Sequence, residues 1–188
     1  YDTSIVAMAI AASNAPGRVV NVPGSPVDGW TFEEVLRDVV DYLAWAQTDE
    51  GFGRGGWNYE PMDNAGDRSD ESNTGWVTLG LAWAEAPPPL GFGLAVPGFV
   101  KRELGLWLRY IQNSIPGSPD EGGAGYTAPF EWVNILKTGN LLQQLAWLGA
   151  TPADPRVQKA VDYLVHHWND ANDDPGWKGF PNQPGSSL

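Results

Sequence analysis

The chain has 188 residues, of which 42% are apolar, and this is typical of one folded domain with a real core rather than a disordered chain. Its formal charge is −12, and its 11 Lys and Arg residues are scattered, so nucleic acid and anionic membranes are not expected as partners. The sequence contains no cysteine, which excludes disulfides, thiolate nucleophiles and cysteine zinc sites.

Two families of helical segments alternate along the chain. The first family aligns on Thr3, Thr74 and Thr138, in the segments DTSIVAMAI, NTGWVTLGLAW and KTGNLLQQLAW. These segments carry apolar or small residues on nearly every helical face, so we expect them to be buried on all sides. The recurrence predicts an internal repeat with three inner helices.

The second family consists of segments 32–47, 100–113 and 157–170, each with an apolar stripe opposite a charged face. Such a pattern is typical of an amphipathic surface helix. Outer helices that alternate with buried inner ones predict an all-α fold, namely an α/α toroid or solenoid of about three helix pairs.

Turn-rich loops follow the outer helices at 47–57, 112–126 and 168–177, and each ends on an aromatic residue, Trp57, Tyr126 or Trp177. Their glycines permit a tight reversal, and the aromatic can lock the loop onto a helix end. The weakly polar stretch 81–100 contains Glu85 and three consecutive prolines, so it is predicted to be a loop rather than a membrane span.

Two acidic residues, Asp70 and Glu71, precede the second inner helix and have two interpretations. As a helix start, Ser72, Asn73 or Thr74 caps the first turn, and the two acids interact with the positive end of the helix dipole. As catalytic candidates, they join a group of carboxylates that would suit a carboxylate-pair hydrolase or lyase. The other members of that group are Glu60, Asp63 and Asp67.

Aromatic residues follow the turns or begin the inner helices, where they could line a concave mouth for an apolar chain or a glycan. The competing interpretation is that they only pack the repeat together. With Glu60, the candidate ligand-binding residues are Trp57, Tyr59, Trp76, Tyr126, Trp132 and Trp177.

No metal site or cofactor is expected. Residues 169–177 space their polar side chains like the start of a calcium loop, but the glycine falls one place late and no glutamate follows. His166 and His167 are adjacent and therefore point to different faces of their helix, whereas a two-histidine site on a helix needs i, i+4 spacing.

The order of outer helix, Gln, glycine-rich turn, aromatic and inner helix resembles the repeat of the squalene-cyclase and prenyltransferase superfamily over residues 1–179. Gln47, Gly55, Gly56 and Trp57 carry the resemblance best, whereas Trp168 stands where a third Gln is expected. The resemblance implies a barrel of about six inner and six outer helices. The single domain 1–188 would then be a fragment, an open crescent, or one half of a ring that a homodimer completes.

The resemblance also indicates which family chemistry is missing. Class II terpene cyclases of this superfamily protonate their substrate with the middle Asp of an Asp-x-Asp-Asp-Thr segment, and here Ser72 stands at that position. A serine hydroxyl is too weak an acid for this step. The zinc ligands of prenyltransferases and the Cys-Gly-Glu-Gln segment of thioester domains both require a cysteine.

We therefore expect a non-cyclising repeat domain that binds a hydrophobic or glycan ligand, or a partner, at a concave aromatic face. The alternative is an enzyme with Asp70 and Glu71 as its catalytic residues. It would be an atypical terpene cyclase with Glu71 as the acid, or a glycan-active lyase or hydrolase that uses carboxylates within 60–71.

Overall fold

The computed structural model describes residues 1–60 and 68–168. These ranges contain six α-helices and no β-strand, which confirms the prediction of an all-α fold. None of these helices is long and apolar enough to cross a membrane. The helices are α1 (Asp2–Ala12), α2 (Phe32–Trp45), α3 (Glu71–Glu85), α4 (Gly98–Ile111), α5 (Ile135–Trp147) and α6 (Pro155–His167).

The odd-numbered helices form a row in which α3 packs against α1 on one side and against α5 on the other. Small residues make this close packing possible. A Cβ at Gly80 would lie 3.1 Å from the backbone oxygen of Ser4 in α1, and one at Gly75 would lie 2.5 Å from the Asn140 amide in α5. Helix α2 packs on α1 and α3, while α6 packs on α5.

The expectation that inner helices are buried on all sides is met most closely by α3, which has a neighbour on each side. In α1 the buried residues lie only on the face toward α3, while Ile5 and Val6 are 43% and 50% exposed. In α5, Leu136 is 39% exposed. The outer helices α2 and α4 bury one apolar stripe each, as predicted for amphipathic helices.

The first turn is held by a buried glutamine. Gln47 Nε2 donates to the carbonyl of Gly55 at 2.9 Å and to that of Val100, in the first turn of α4, at 3.0 Å. Backbone hydrogen bonds between Thr48 and Gly55 and between Thr48 and Gly56 close the loop. One side chain thus joins the turn to the next outer helix.

The second turn repeats this arrangement. Gln112 Nε2 donates to the carbonyl of Gly122 at 3.0 Å and to that of Arg156, in the first turn of α6, at 2.9 Å. Asn113 forms the matching backbone hydrogen bonds with Gly122 and Gly123. The predicted repeat is therefore present in the backbone as well as in the sequence.

The equivalence of the aromatics after the two turns differs from the prediction. Thr74 Oγ1 accepts from the Trp57 backbone N–H and Thr138 Oγ1 accepts from that of Ala124, each at 3.0 Å. Trp57 therefore corresponds to Ala124, not to Tyr126. Tyr126 corresponds instead to Tyr59, because each tyrosine stands two residues after the amide that meets the threonine.

Helices α3 and α5 begin earlier than predicted. The N-cap of α3 is Asp70 rather than Ser72, Asn73 or Thr74, since its carboxylate accepts from the Asn73 backbone N–H. The N-cap of α5 is Asn134, whose side chain accepts from the backbone N–H three residues later. The predicted loop 81–100 is also shorter, because α3 continues to residue 85 and α4 begins at residue 98.

Candidate functional site

The head of α3 carries a carboxylate whose oxygens are already engaged. Asp70 Oδ1 accepts from the Asn73 backbone N–H at 2.7 Å and from the Ser72 hydroxyl at 2.6 Å, and Oδ2 accepts from Asn73 Nδ2 at 2.7 Å. The residue is 4% exposed. Asp70 therefore caps the helix and orients Ser72, and it places negative charge where the helix dipole favours it.

Three tyrosines from separate parts of the chain gather around this centre. They are Tyr1 at the start of α1, Tyr59 after the first turn and Tyr126 after the second. The hydroxyls of Tyr1 and Tyr126 each interact with that of Tyr59 and with the Ser72 side chain. Burial raises the pKa of Tyr1 to about 12, and it raises the pKa of Tyr126 as well. These phenols therefore stay neutral and act as hydrogen-bonding groups.

Aromatic rings surround the hydroxyl cluster. Tyr1 stacks on Tyr59 with ring centres 5.4 Å apart and lies 6.0 Å from Trp76, while Tyr126 stacks on Trp132 at 5.8 Å. Tyr59 and Trp132 are 62% and 57% exposed, so their faces remain open to a ligand. We call the group formed by Tyr1, Tyr59, Trp76, Tyr126 and Trp132, with Asp70 and Ser72 at its centre, the aromatic mouth.

A cleft of about 560 Å³ opens at the mouth beside Tyr1, Asp2, Thr3 and Tyr59. Its position next to stacked rings and a hydroxyl cluster gives it two kinds of contact. Ring faces suit the C–H surface of a sugar, and the hydroxyls suit its polar groups.

Glu71 lies next to Asp70 in sequence, but its side chain lies in a different environment. It is fully buried, and its Oε2 accepts from Trp107 Nε1 of α4 at 2.8 Å. Burial raises the pKa of Glu71 to about 8, against the opposing effects of Trp107 and Gln144. The carboxyl is thus protonated at neutral pH, and its location between helices keeps it away from the mouth.

The surroundings of Glu71 are polar but incompletely paired. Among the described residues, Glu71 Oε1 and both amide atoms of Gln144 have no hydrogen bond of normal geometry. Lys137 lies nearby, and burial lowers its pKa to about 8, although Glu71 and Glu131 oppose this effect. Its ammonium also lies 5.8 Å from the centre of the Tyr126 ring.

The other predicted site residues occupy varied positions. Trp57 is 1% exposed, and its Nε1 donates to the Leu43 carbonyl, so it packs the turn onto α2. Glu60 is exposed next to Tyr59. Asp63, Asp67 and Trp177 lie outside the described residues.

Several residues of this region were not singled out by the sequence. Tyr1 joins the mouth only through the tertiary structure, and Ser72 is a partner of the tyrosines rather than only a replaced acid. The aligned repeat does contain a signal for the buried polar group. Glu71 stands three residues before Thr74, as Ile135 stands before Thr138, and an acid at a position that is apolar in the other copy indicates burial.

Metal binding finds no support within the parts of the chain that are described. No group of three or more His, Asp or Glu side chains lies close enough there to hold a metal ion. His167 Nε2 lies 2.9 Å from the Pro119 carbonyl, and its ring contacts Tyr163. The predicted calcium-like stretch 169–177 lies outside the described ranges.

A scan of protein-family models found no match to this chain, and neither did searches of curated proteins and of solved structures.

Proposed function

We propose that this chain is a squalene-cyclase-like α/α-repeat domain that binds a ligand at the aromatic mouth and does not cyclise it. The observation that carries the proposal is the convergence of Tyr1 and Tyr126 on both Ser72 and Tyr59, beside ring faces that are open to solvent. The row of α1, α3 and α5 supports a toroid-type arrangement of the repeat.

A neutral glycan suits the mouth better than a charged ligand. The hydroxyl cluster offers donors and acceptors without a formal charge, and stacked rings with exposed faces offer platforms for pyranose rings. An anionic ligand would meet the Asp70 carboxylate and a chain of net charge −12. Lys137, whose ammonium lies near the Tyr126 ring, is itself largely buried.

Isothermal titration with neutral oligosaccharides, maltose, cellobiose and chitobiose, tests this proposal, with an acidic oligosaccharide for comparison. We expect at least one neutral ligand to bind and Tyr59→Ala and Trp132→Ala each to weaken it by about 5- to 150-fold, as for the loss of a stacking ring worth 1–3 kcal/mol. Trp45→Ala is the matched control, because Trp45 is an exposed aromatic on α2 whose ring packs on Tyr42 of the same helix. Absence of binding to every oligosaccharide would refute the proposal.

The alternative of an enzyme is tested with the same protein. Turnover of the glycans, of squalene and of oxidosqualene is measured in the parent chain and in the variants Asp70→Asn and Glu71→Gln. We expect none, because the Asp70 oxygens are engaged in the cap and Glu71 is sealed from solvent. Turnover that either substitution abolishes would contradict a domain that only binds.

Assembly into a ring by two copies is a separate proposal. Ile5 and Val6 of α1 and Leu136 of α5 leave apolar surface at both ends of the row. Sedimentation equilibrium distinguishes the alternatives, because a ring of two copies requires twice the mass of the chain. A single-chain mass at all accessible concentrations would exclude it.

A further inference from the structure

A second feature of α3 extends the aromatic mouth along the helix. Trp76, Leu79 and Trp83 are spaced i, i+3 and i+7, so they lie on one face of α3. Trp76 belongs to the mouth, where its ring lies 6.0 Å from that of Tyr1. Leu79 and Trp83 line a separate groove nearer the C-terminal end of the helix.

The groove has a volume of about 380 Å³ and is almost entirely apolar. Gln143 and six apolar residues form its walls, the apolar ones being Leu79, Ala82, Trp83, Ala86, Leu90 and Trp147. The face of α3 therefore begins at a hydroxylated centre and ends at an apolar groove. A ligand that matches both ends has a polar head and an apolar tail.

The far wall of the groove is fixed in place. Trp147 Nε1 donates to Glu85 Oε2 at 2.9 Å, and Lys101 Nζ lies 2.6 Å from the same oxygen and 4.8 Å from the centre of the Trp147 ring. These contacts orient the indole with its apolar surface in the groove. Because a charged pair contacts this ring, the apolar surface ends at Trp147.

The length of the apolar surface along α3 sets the length of the ligand's apolar chain. From Trp76, the last residue of the aromatic mouth on α3, to Trp83 the helix rises about 10 Å, at 1.5 Å per residue. The hydrocarbon core of a bilayer is about 30 Å thick, so one acyl chain that fills a single leaflet spans about 15 Å. An acyl chain is thus long enough to run from Trp76 along the partly exposed Leu79 and Trp83 into the groove.

We propose that the site takes an amphiphile whose neutral, hydroxyl-rich head lies at the aromatic mouth and whose single apolar chain lies along α3 into the groove. This inference rests on the proposed function, since the head occupies the glycan site. It goes further by naming the ligand class as a glycolipid rather than a free glycan. An anionic head such as a phosphate does not suit the mouth, for the electrostatic reasons given above.

Titration with maltose and with hexyl, octyl, decyl and dodecyl maltoside, each below its critical micelle concentration, tests the inference. Burial of one methylene is worth about 0.8 kcal/mol, so we expect Kd to fall by about 2- to 4-fold for each methylene added along the path. Maltose that binds with a Kd equal to that of dodecyl maltoside would overturn the inference and leave the proposed function standing. Failure of every one of these probes to bind would overturn the inference, and it would overturn the proposed function too only if cellobiose and chitobiose also fail to bind.

Substitutions in the groove test where the ligand's apolar chain binds. We expect Trp83→Ala and Leu79→Ser to remove most of the gain in affinity that longer alkyl chains give, while the Kd of maltose stays unchanged. Trp45→Ala, with far-UV circular dichroism and thermal melts on all variants, controls for general damage. A full chain-length gain in both groove variants would overturn the proposed path, and tighter binding of dodecyl phosphate than of dodecyl maltoside would overturn the neutral head.

Discussion

Replacement of Glu71 by Gln is expected to change how the stability of the protein depends on pH. Glu71 is fully buried, and its pKa rises from 4.5 to about 8 because the charged form would lose its hydration. A group whose pKa is raised in the folded state contributes stability below its unfolded pKa and loses that contribution as the pH rises through its folded pKa. Unfolding should therefore become easier between pH 4.5 and pH 8 in the parent chain.

The magnitude follows from the two pKa values. They differ by about 3.5, and each pH unit corresponds to about 1.4 kcal/mol, so the upper limit is about 5 kcal/mol. Between pH 5 and pH 8 the expected loss is about 3–4 kcal/mol. In Glu71→Gln the amide cannot ionise, and its oxygen can still accept from Trp107 Nε1, so the loss over this interval should disappear.

Urea unfolding followed by far-UV circular dichroism at pH 5, 6, 7 and 8 measures the effect. The part of this interval from pH 5 to pH 7 separates Glu71 from Lys137, because the stability that neutral Lys137 contributes is lost as the pH falls from 10.5 through about 8. Glu50→Gln is the control, since Glu50 is an exposed carboxylate. Parallel pH profiles for the parent chain and Glu71→Gln would refute the reasoning.

Three further substitutions test the repeat. Gly55→Ala should destabilise the fold by more than about 1 kcal/mol, because Gly55 has φ +90° and its new Cβ would lie 1.9 Å from a backbone oxygen of α4. Gly24→Ala is the control, since Gly24 has φ +85° but open space around its Cβ position. Equal urea midpoints for the two variants would contradict the steric argument. Gln47→Ala leaves two buried carbonyls without their donor and should lower the free energy of unfolding, measured by thermal or urea unfolding, by about 1–3 kcal/mol. An unchanged free energy of unfolding would show that water replaces the amide. Thr74→Val removes the acceptor of the buried Trp57 backbone N–H and should lower the free energy of unfolding by a similar amount. Hydrogen exchange of the Trp57 amide should also accelerate, and unchanged exchange would count against that hydrogen bond.

The alternation of helices could be predicted because it depends on local periodicity, and α2 and α4 bury the stripes that their sequences show. Helix starts were less accessible to sequence reasoning. Ser72, Asn73 and Thr74 are all competent caps, and which residue acts is decided by the backbone path. That path enters from the first turn, where the Asp70 N–H donates to the Trp57 carbonyl, and it leaves Asp70 at the cap position.

The mouth was only partly predictable, for a physical reason. Tyr59, Trp76, Tyr126 and Trp132 were selected by their places after turns or at a helix start, and the structure brings them together. Tyr1 carries no such local signal, because its role comes from contact with residues distant in sequence.

The turns show which interactions the repeat requires. Arg54 pairs with Glu103 at 2.6 Å in the first turn, and Glu121 pairs with Lys159 at 2.6 Å in the second, so the signs of the charges are exchanged between the copies. Such exposed pairs contribute little stability. The buried Gln and the positive-φ glycine are the same in both turns, so these groups fix the geometry of the junction.

The same comparison separates the polar centre of the mouth from the scaffold. Tyr59 and Tyr126 are equivalent in the repeat, and Tyr126 reaches Ser72 at the head of α3. In the alignment of Thr74 with Thr138, the position of Ser72 corresponds to Leu136 at the head of α5. Because α5 forms and packs with leucine at this position, the hydroxyl that the tyrosines meet is not required by the fold. This hydroxyl, which only one copy possesses and which lies among exposed rings, therefore supports the proposed ligand site rather than a role in the packing of the repeat.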